Sequence, residues 1–405
     1  MPDWTVKQDI QLSSLAKLAV DANKIEVTDM LWAGTFHGYD KVAEKKVTTK
    51  NPVPLKRFET LNFYNVTSSD DPILQGVLEH DACDVIVTDH ILSALMSAGR
   101  CQYSWDIIVS KVGGKIIFDK RDGSPIDFLT VDETAAETPA NDDKDHINAP
   151  MRLGQEASCL NQNMTQQFLD MNCEEEHEHP NPFEDSDDEE EEEEDPESYA
   201  ASGAYRYRKF VLPGDPKQTG PGKEDIRMVV RTEVNAFMKP EVLPSGKVKD
   251  EPKKYVAIHA LNEYNPQPTT SWRQHLDSQR GATLATQLKN NAFKLARWTA
   301  EAILSGSDYF KLAFVTRTQS KDSWNHQVLG VQTYSTDAFA AQIGMTKNNM
   351  WGIIRSICDI VQSFDDGKYL VLKDPTKTVM RLYSVPWEFG DDDDDYDDDD
   401  FDDDE

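Results

Sequence analysis

The sequence predicts an α+β fold in which helices flank a largely antiparallel central sheet. Apolar runs that are paired around turn residues, over 103–118 and again over 369–385, predict antiparallel hairpins. Between them, the apolar residues of 293–303 recur at helical spacing. Two acidic tracts, 174–197 and 391–405, bury too little apolar surface to fold, so we expect both to be disordered.

The middle of the predicted sheet includes 282–317, which we interpret as a strand, a helix and a second strand. Alternating side chains predict a strand at 282–288. Gly306 ends the helix, and an apolar run at 309–315 predicts the second strand. The other elements are predicted as strands at 85–87, 205–212, 226–238, 255–264 and 327–334, and as helices at 90–98, 154–170 and 348–363.

The formal net charge of −31 is concentrated in the two acidic tracts. The first tract holds 16 acidic residues and the second holds 13, and neither contains a lysine or an arginine. In the rest of the chain 44 acidic residues face 42 basic ones. A body this close to neutrality is compatible with a local basic groove, so the total charge does not exclude a nucleic-acid partner.

The cysteines and the N-terminal sequence indicate the compartment. Five cysteines are widely spaced and form no CxxC pair, which predicts reduced thiols rather than a disulfide framework or a zinc site. The first ten residues lack the apolar core of a signal peptide, and no apolar run is long enough to span a membrane. We therefore expect a soluble, cytoplasmic protein.

Three segments in and around 282–317 have distinctive sequences, which are LDSQRGA, QLKNNAFKLARWT and LSGSDYFKL. They closely resemble the D subunit of eukaryotic translation initiation factor 3. The resemblance implies a domain of DXO-like fold, built like the DXO-type decapping exonucleases and spanning residues 1–390, that binds the 5′ cap of mRNA without catalysis. The implied partners are 5′-capped mRNA, other subunits of initiation factor 3 and the small ribosomal subunit. No cofactor, metal or membrane is implied.

The implied cap site takes its residues from VTDHILSALMSAGRCQYSWD and EASCLNQNMTQQ. A methylated guanine is a flat cation, so aromatic or amide planes stack on its face while an acceptor meets its base edge. The resemblance assigns cap binding to Asp89, Gln102, Tyr103, Ser158, Asn161 and Gln162. The last three share one helix face. Alternatively, the aspartate only caps a helix, the tyrosine belongs to the core and the polar row is solvated.

A metal-dependent decapping or 5′–3′ exonuclease of the DXO type is the alternative function, and it requires several carboxylates around divalent ions. The DXO-type enzymes carry an acid-x-acid pair and an acid-x-Lys pair on central strands. The nearest pairs here are Glu263-x-Asn265 and Gln287-x-Lys289, each expected on one sheet face. Amides replace carboxylates at two of these positions, and a neutral amide is a poor ligand for a hard cation. We therefore expect no metal site and no enzyme activity.

A track for RNA beyond the cap requires positive charge. The predicted RNA-binding residues are Arg206, Arg208, Lys289, Lys294 and Arg297. Alternation along the strand 205–212 places its two arginines on one face and two tyrosines on the other. One face is then available to phosphate while the other packs. A solvated strand face is the alternative.

The polar stretch 131–153 is predicted to be a long loop, and the resemblance implies that it lies over the RNA path as a gate. Its acidic residues, Asp132 and Glu133 among them, would repel phosphate. In the first acidic tract, Ser186 precedes three acidic residues, the setting that an acidophilic kinase favours. Ser186 is therefore the candidate phosphorylation site. Alternatively, both acidic tracts only increase solubility.

Overall fold

A computed structural model of the chain describes residues 4–121, 123–139, 146–184, 199–218, 220–240, 249–266 and 271–390. The strands in these ranges are β1 (Thr5–Gln11), β2 (Glu26–Tyr39), β3 (Val53–Pro54), β4 (Leu61–Asn62), β5 (Val85–Thr88), β6 (Trp105–Val112), β7 (Lys115–Asp119), β8 (Leu169–Glu176), β9 (Tyr199–Ala200), β10 (Gly203–Leu212), β11 (Ile226–Val234), β12 (Ala236–Met238), β13 (Tyr255–Glu263), β14 (Tyr309–Arg317), β15 (His326–Ser335), β16 (Gly367–Lys373) and β17 (Val379–Val385).

The α-helices of the same ranges alternate with the strands. They are α1 (Leu12–Leu15), α2 (Lys41–Lys45), α3 (Pro72–Glu79), α4 (Asp89–Ser97), α5 (Pro150–Gln167), α6 (Trp272–His275), α7 (Arg280–Asn290), α8 (Ala292–Ser305), α9 (Thr336–Gln342) and α10 (Lys347–Gln362). Short 3₁₀ turns occur at Ala22–Lys24, Ala98–Arg100 and Pro221–Lys223.

In the described ranges, 15 strands form one sheet in the order β1-β17-β16-β6-β7-β5-β11-β10-β2-β12-β13-β14-β15-β3, and β8 pairs with β2 beside this path. Most neighbouring strands are antiparallel. The parallel neighbours in this sheet are β5 with β7 and with β11, β2 with β12, and β13 with β14. The predicted α+β fold with a largely antiparallel sheet is therefore confirmed.

Helices cover both faces of the sheet around β13, which positions the site described below. Leu261 of β13 shares an apolar cluster with Trp298 of α8. Ile258, which points to the opposite face, shares a second cluster with Met164 of α5. Helices α4 and α8 also pack against each other and against β11. The middle of the sheet is thus enclosed between α4, α5 and α8.

The predicted strand at 282–288 is wrong, because this segment belongs to helix α7. Its inward residues are Leu284 and Gln287, three apart as on a helix face, and its Ala, Leu, Gln and Lys residues favour a helix. The rest of the unit is confirmed: α8 ends at Gly306, which has a φ of +72°, and β14 follows. The hairpins β6–β7 and β16–β17 and the other predicted elements are also present, with two differences. The predicted helix 154–170 ends at Gln167, because β8 begins at Leu169, and the predicted strand 226–238 divides at Asn235 into β11 and β12.

The prediction of disorder over 174–197 is wrong for the part that the structure describes. Residues 174–176 end strand β8 and pair with Thr35–His37 of β2, since backbone pairing tolerates carboxylates that point to solvent. Ser186 and the second tract, 391–405, lie outside the described residues. Among the described residues, no helix is both long and apolar enough to span a bilayer.

Candidate functional site

A cavity of about 230 Å³, here called the central cavity, lies where the ends of the parallel strands β5 and β11 meet α4. Its walls come from α4, α5, α8, β11 and β13, and its rim includes the loop segments 62–66 and 201–202. The carboxyl ends of parallel strands and the following helix N-terminus are where α/β folds gather ligand groups. The topology therefore marks the central cavity as a binding site.

The structure brings four of the predicted cap-binding residues together in the central cavity, and they are Asp89, Ser158, Asn161 and Gln162. The other two do not line it. Gln102 is exposed on the surface. The ring of Tyr103 packs edge-to-face on Phe293, with ring centroids 5.5 Å apart, as part of the apolar core.

Asp89 is not the N-cap of α4 but its first residue, and its carboxylate turns toward β11. Its Oδ2 accepts a hydrogen bond of 2.9 Å from the backbone N–H of Glu233. Burial and the neighbouring carboxylates of Glu233 and Glu301 raise the pKa of Asp89 well above its ordinary value. Because few groups of the protein donate to the carboxylate of Asp89, this carboxylate can still accept hydrogen bonds from a ligand.

Glu233 is the residue of the cavity that the sequence interpretation missed. Its side chain reaches solvent through the cavity, although the surrounding protein removes enough water to raise its pKa, an effect that Arg231 and His90 partly oppose. Asn235 follows two residues later and also lines the cavity. The sequence contained a signal, because Glu233-x-Asn235 is an acid-x-amide pair within the predicted strand 226–238, which the structure divides at Asn235 into β11 and β12.

Amide and hydroxyl groups supply donors beside these carboxylates. The Oδ1 of Asn161 accepts from the backbone N–H of Ala260 at 3.1 Å, and the Oδ1 of Asn235 accepts from that of Ile258 at 2.8 Å. Ser158 Oγ accepts from the backbone N–H of Leu129 at 3.0 Å. Since their oxygens already accept hydrogen bonds from the backbone, these side chains are oriented with donors left for the cavity.

The wall opposite α5 contains a histidine and an acid with contrasting surroundings. The ring of His259 stacks on Trp298 at 4.5 Å, and burial lowers its pKa to about 4 despite the nearby Glu301. Burial alone would raise the pKa of Glu301, but the hydrogen bond and charge of His90 and the charge of Arg297 hold it at about 2. Glu301 is therefore ionised, whereas His259 is neutral.

The structure gives the guanidinium groups of Arg206 and Arg208 internal partners. Both bind the carboxylate of Asp29, at 3.1 Å from each Nε to Oδ1. Their Nη1 atoms donate to the carbonyls of Ser305 and Leu304, which are the last of helix α8. The two arginines share one strand face, as predicted, and in this arrangement they cap the C-terminal end of α8.

Three further predicted RNA-binding residues lie around the junction of α7 and α8. Lys289 is exposed at the end of α7. Lys294 is buried, its Nζ donates to the carbonyl of Thr130 at 2.6 Å, and burial lowers its pKa. Arg297 is buried and donates to the carbonyl of Ile126 at 3.0 Å. Of these three cations, only Lys289 presents its side chain to solvent.

The first part of the predicted gate, 131–153, is attached to the helices rather than free. The carboxylate of Glu133 accepts from the backbone N–H groups of Phe293 and Lys294 at 3.2 and 3.4 Å, which places a negative charge at the N-terminus of α8. Asp132 accepts from the Asn291 amide at 3.0 Å. The last part, from Pro150, is the first turn of α5. Residues 140–145 lie outside the described ranges.

The two residue pairs assigned to the nuclease alternative do not meet on the sheet, so this placement is wrong. Glu263 ends β13 and accepts from the backbone N–H of Trp272 at 2.8 Å, away from the central cavity. Gln287 lies on helix α7 and accepts from the Asn291 amide. Among the described residues, no three His, Cys, Asp or Glu side chains are grouped to hold a metal ion.

Known proteins resemble this chain over nearly its whole length. A family profile described as eukaryotic translation initiation factor 3 subunit 7 (eIF-3) matches residues 1–384. The chain is 43% identical over 389 residues to the D subunit of eukaryotic translation initiation factor 3 of Xenopus tropicalis, covering 95% of the chain and 65% of the relative. It is 38% identical over 386 residues to the D subunit of Arabidopsis thaliana, covering 95% of the chain and 60% of the relative.

The chain therefore spans less than two thirds of the length of these two relatives. Among solved structures it resembles Scheffersomyces stipitis Rai1 in complex with (3′-NADP)+ and calcium, with a TM-score of 0.53, 11% identity and 95% of each chain covered. A second Rai1 structure from the same organism gives a TM-score of 0.51 at 12% identity, covering 95% of the chain and 94% of Rai1. At these identities the likeness concerns the fold, and it confirms the predicted DXO-like architecture.

Proposed function

The chain belongs to the eukaryotic translation initiation factor 3 subunit 7 family, and on that premise we propose that it binds the 5′ cap of mRNA in its central cavity. It does so without catalysis, as a subunit of initiation factor 3. The observation that carries the proposal is the composition of the cavity, where carboxylates with raised pKa values stand beside amide and hydroxyl donors. A ligand with both donors and acceptors on one edge complements this set.

The edge of a guanine base has that pattern. Its N1–H and N2–H₂ groups donate, and the carboxylates of Asp89 and Glu233 accept them in charge-assisted hydrogen bonds. The O6 atom accepts from the amide groups of Asn161 and Asn235. Methylation at N7 adds a positive charge, which the two carboxylates balance. A cationic ligand therefore favours the ionised form of both acids.

The flat face of the base requires a stacking partner. Tyr103, to which the resemblance assigns this role, lies in the core beside Phe293. Tyr64 lies at the rim of the cavity and is partly exposed, with its ring 6.0 Å from that of Phe183. We assign the stacking role to Tyr64, because an aromatic plane is available to a ligand there.

The family extends the proposal to partners. Other subunits of initiation factor 3 and the small ribosomal subunit are the proposed assembly partners, and the cytoplasm, where initiation takes place, is the proposed compartment. The candidate for phosphorylation remains Ser186. These assignments rest on family membership and on the sequence, whereas the proposed ligand also rests on the residues of the cavity.

Competition between capped RNA and a free cap analogue tests the proposal. The chain is crosslinked to 5′-labelled capped RNA, and we expect 7-methylguanosine triphosphate to compete whereas guanosine triphosphate competes weakly. Glu233→Gln and Asn161→Ala should each weaken cap-analogue binding, by about tenfold for the charged acceptor. Glu79→Gln, an exposed position on α3 outside the cavity, is the matched control and should bind as the wild type.

The same labelled RNA tests the enzymatic alternative. Incubation with Mg²⁺ or Mn²⁺ should leave the label intact if the chain only binds the cap. Metal-dependent loss of the label that Glu233→Ala abolishes would contradict the non-catalytic function. Crosslinking that the cap analogue does not reduce would instead indicate binding to RNA without cap recognition.

A further inference from the structure

A second cavity, of about 330 Å³, lies along the same helix as the central cavity and has no role in the proposed function. Its wall is formed by the α5 residues Gln155, Glu156 and Cys159, and by Arg57 and Trp324 from two other segments. It combines an aromatic plane, basic side chains and polar groups around an open volume. This composition is typical of sites for planar anionic ligands such as nucleotides.

Trp324 is the most unusual residue of the second cavity, because its side chain is 56% exposed. The guanidinium carbon of Arg57 lies 3.4 Å above the centre of the indole ring, a stacked cation–π contact. The β14–β15 connection holds the tryptophan in place, since Asp322 accepts from the backbone N–H of Trp324 at 2.8 Å and from that of Asn325 at 3.1 Å. The stacking surface is therefore formed before any ligand binds.

The glutamate in the floor of the second cavity has partners within the protein. Glu156 accepts from Arg317 Nε at 2.9 Å and from His326 Nε2 at 2.8 Å, so its charge is balanced internally. Arg57 contributes a cation at the rim. Glu59, which is exposed, lies 3.4 Å from Arg57 Nε, and an exposed ion pair of this kind is weak.

Two elements connect the second cavity to the central cavity. Helix α5 contributes Gln155 and Cys159 to one and Asn161 and Gln162 to the other. The residues 155 and 162 are separated by about 10 Å along the helix axis at 1.5 Å per residue. That distance corresponds to about three stacked nucleotides at 3.4 Å each.

The second connecting element is the segment that carries Arg57. It is attached to α5 on both sides of Arg57, because Lys56 N–H donates to Gln167 Oε1 at 2.9 Å and Phe58 N–H donates to Asn163 Oδ1 at 2.7 Å. The same segment continues to residues 62–66 at the rim of the central cavity. One continuous chain segment therefore contributes residues to both cavities.

We propose that the second cavity is a subsite for the RNA body, where a base within the first few nucleotides after the cap stacks against the Trp324–Arg57 pair. The guanidinium group of Arg57 then faces the adjoining phosphate. The position of this subsite relative to the cap rests on the proposed function. The subsite extends that function from recognition of the cap to recognition of a short single-stranded leader. Stacking is tolerant of base identity, so the subsite reads the presence of single-stranded RNA rather than its sequence.

The test compares the binding of ligands of increasing length to wild type and Trp324→Ala in the full 405-residue chain. The ligands are 7-methylguanosine triphosphate, a capped hexanucleotide and the same hexanucleotide without a cap. Trp324→Ala should bind the cap analogue as the wild type does and should weaken the capped hexanucleotide by about 5- to 100-fold, the range for loss of one base stack. Trp324→Phe should restore most of the affinity.

Trp387→Ala is the matched control, because Trp387 is 48% exposed but lines neither cavity. Equal affinity of wild type and Trp324→Ala for the capped hexanucleotide would overturn the subsite and leave the proposed function intact. Equal weakening of all three ligands would also overturn it, since that result indicates a general structural effect. Failure of the wild type to bind the cap analogue, with RNA binding that still depends on Trp324, would remove the proposed function and retain the subsite.

A second measurement on the wild type does not depend on how the variants fold. Capped hexanucleotides that carry 4-thiouridine at single positions are photo-crosslinked, and the modified peptides are identified by mass spectrometry. We expect crosslinks from one of the first four positions to peptides containing Arg57 or Trp324. Crosslinks only to other surfaces would contradict the subsite, as would a Trp324 variant that loses a protein partner while RNA binding is unchanged.

Discussion

Helix α5 lies between two carboxylate sites whose surroundings differ. On the side of the second cavity, the carboxylate of Glu156 accepts hydrogen bonds from Arg317 and His326. Burial alone would raise the pKa of Glu156, but these two partners have the larger effect and lower the pKa below its ordinary value. On the side of the central cavity, the pKa values of Asp89 and Glu233 are raised, because burial raises them more than the nearby donors and cations lower them. The carboxylate of Glu156 is therefore fully paired within the protein, whereas the carboxylates of Asp89 and Glu233 are not.

The difference separates structural acids from ligand-binding acids. A carboxylate that is fully paired in the folded protein stabilises the fold and has no capacity for a ligand. A carboxylate that remains short of donors destabilises the folded protein slightly and gains those donors when a ligand arrives. The same amide substitution should therefore have opposite consequences on the two sides of α5, and the predictions below test this from the largest expected effect to the smallest.

The largest effect is expected from Glu156→Gln, which leaves the buried guanidinium of Arg317 without its counter-charge. Breaking a buried pair by removing one partner costs about 3–5 kcal/mol of unfolding free energy. Glu233→Gln is the matched substitution in the central cavity and should change stability by less than about 1 kcal/mol. Urea unfolding of both variants at neutral pH measures the two values. Similar losses in both would remove the distinction between the sites.

The second effect concerns His259, a cavity-wall residue whose Nδ1 has no hydrogen-bond partner among the described residues. Its pKa is lowered to about 4 from an ordinary value of 6.5. The stability that comes from its neutral form is complete above pH 6.5 and is lost as the pH falls toward 4, by about 3 kcal/mol. The unfolding free energy of His259→Phe should depend less on pH over this interval. Parallel curves for both proteins would contradict the assigned burial of the ring.

The third effect is a gain of stability on Asp89→Asn. The pKa of Asp89 is raised in the folded protein, so the stability that comes from its protonated form is present below about pH 4 and is lost as the pH rises. The asparagine keeps an acceptor for the Glu233 N–H and carries no charge. We expect the variant to equal the wild type in unfolding free energy near pH 3 and to exceed it at neutral pH, as measured by urea unfolding at both pH values. A loss of stability at neutral pH would show that the charge of Asp89 is compensated.

Periodicity and turn residues are sufficient to predict most of the fold. The hairpins β6–β7 and β16–β17 and the helices α8 and α10 follow from local pattern, because each is amphipathic or closed by glycine. The segment 282–288 misleads, because over seven residues a helix with buried Leu284 and Gln287 also reads as an alternating strand. The packing of this segment against neighbouring helices determines that it forms a helix rather than a strand.

The candidate site can be predicted only in part from the sequence, because the contacts of its polar residues, and not their spacing, identify them as site residues. Ser158, Asn161 and Gln162 share a helix face and are found together. The acid-x-amide pair Glu233-x-Asn235 is too weak a signal to identify Glu233 by itself, since the significance of Glu233 depends on Asp89, which is 144 residues away in sequence. Arg206 and Arg208 have the composition of a phosphate site, but Asp29 and the end of α8 satisfy them, and no local pattern indicates those contacts.

The most direct test of the central claim is the pH dependence of cap-analogue affinity in wild type and Glu233→Gln, measured by isothermal titration calorimetry between pH 5 and pH 8. The cavity carboxylates accept charge-assisted hydrogen bonds only when they are ionised, and the folded protein raises their pKa values. The affinity of the wild type should therefore rise with pH, whereas Glu233→Gln should bind about tenfold more weakly at pH 8 and show a flatter dependence. Equal affinity and an equal slope for the two proteins would contradict the claim that these carboxylates are kept for a ligand.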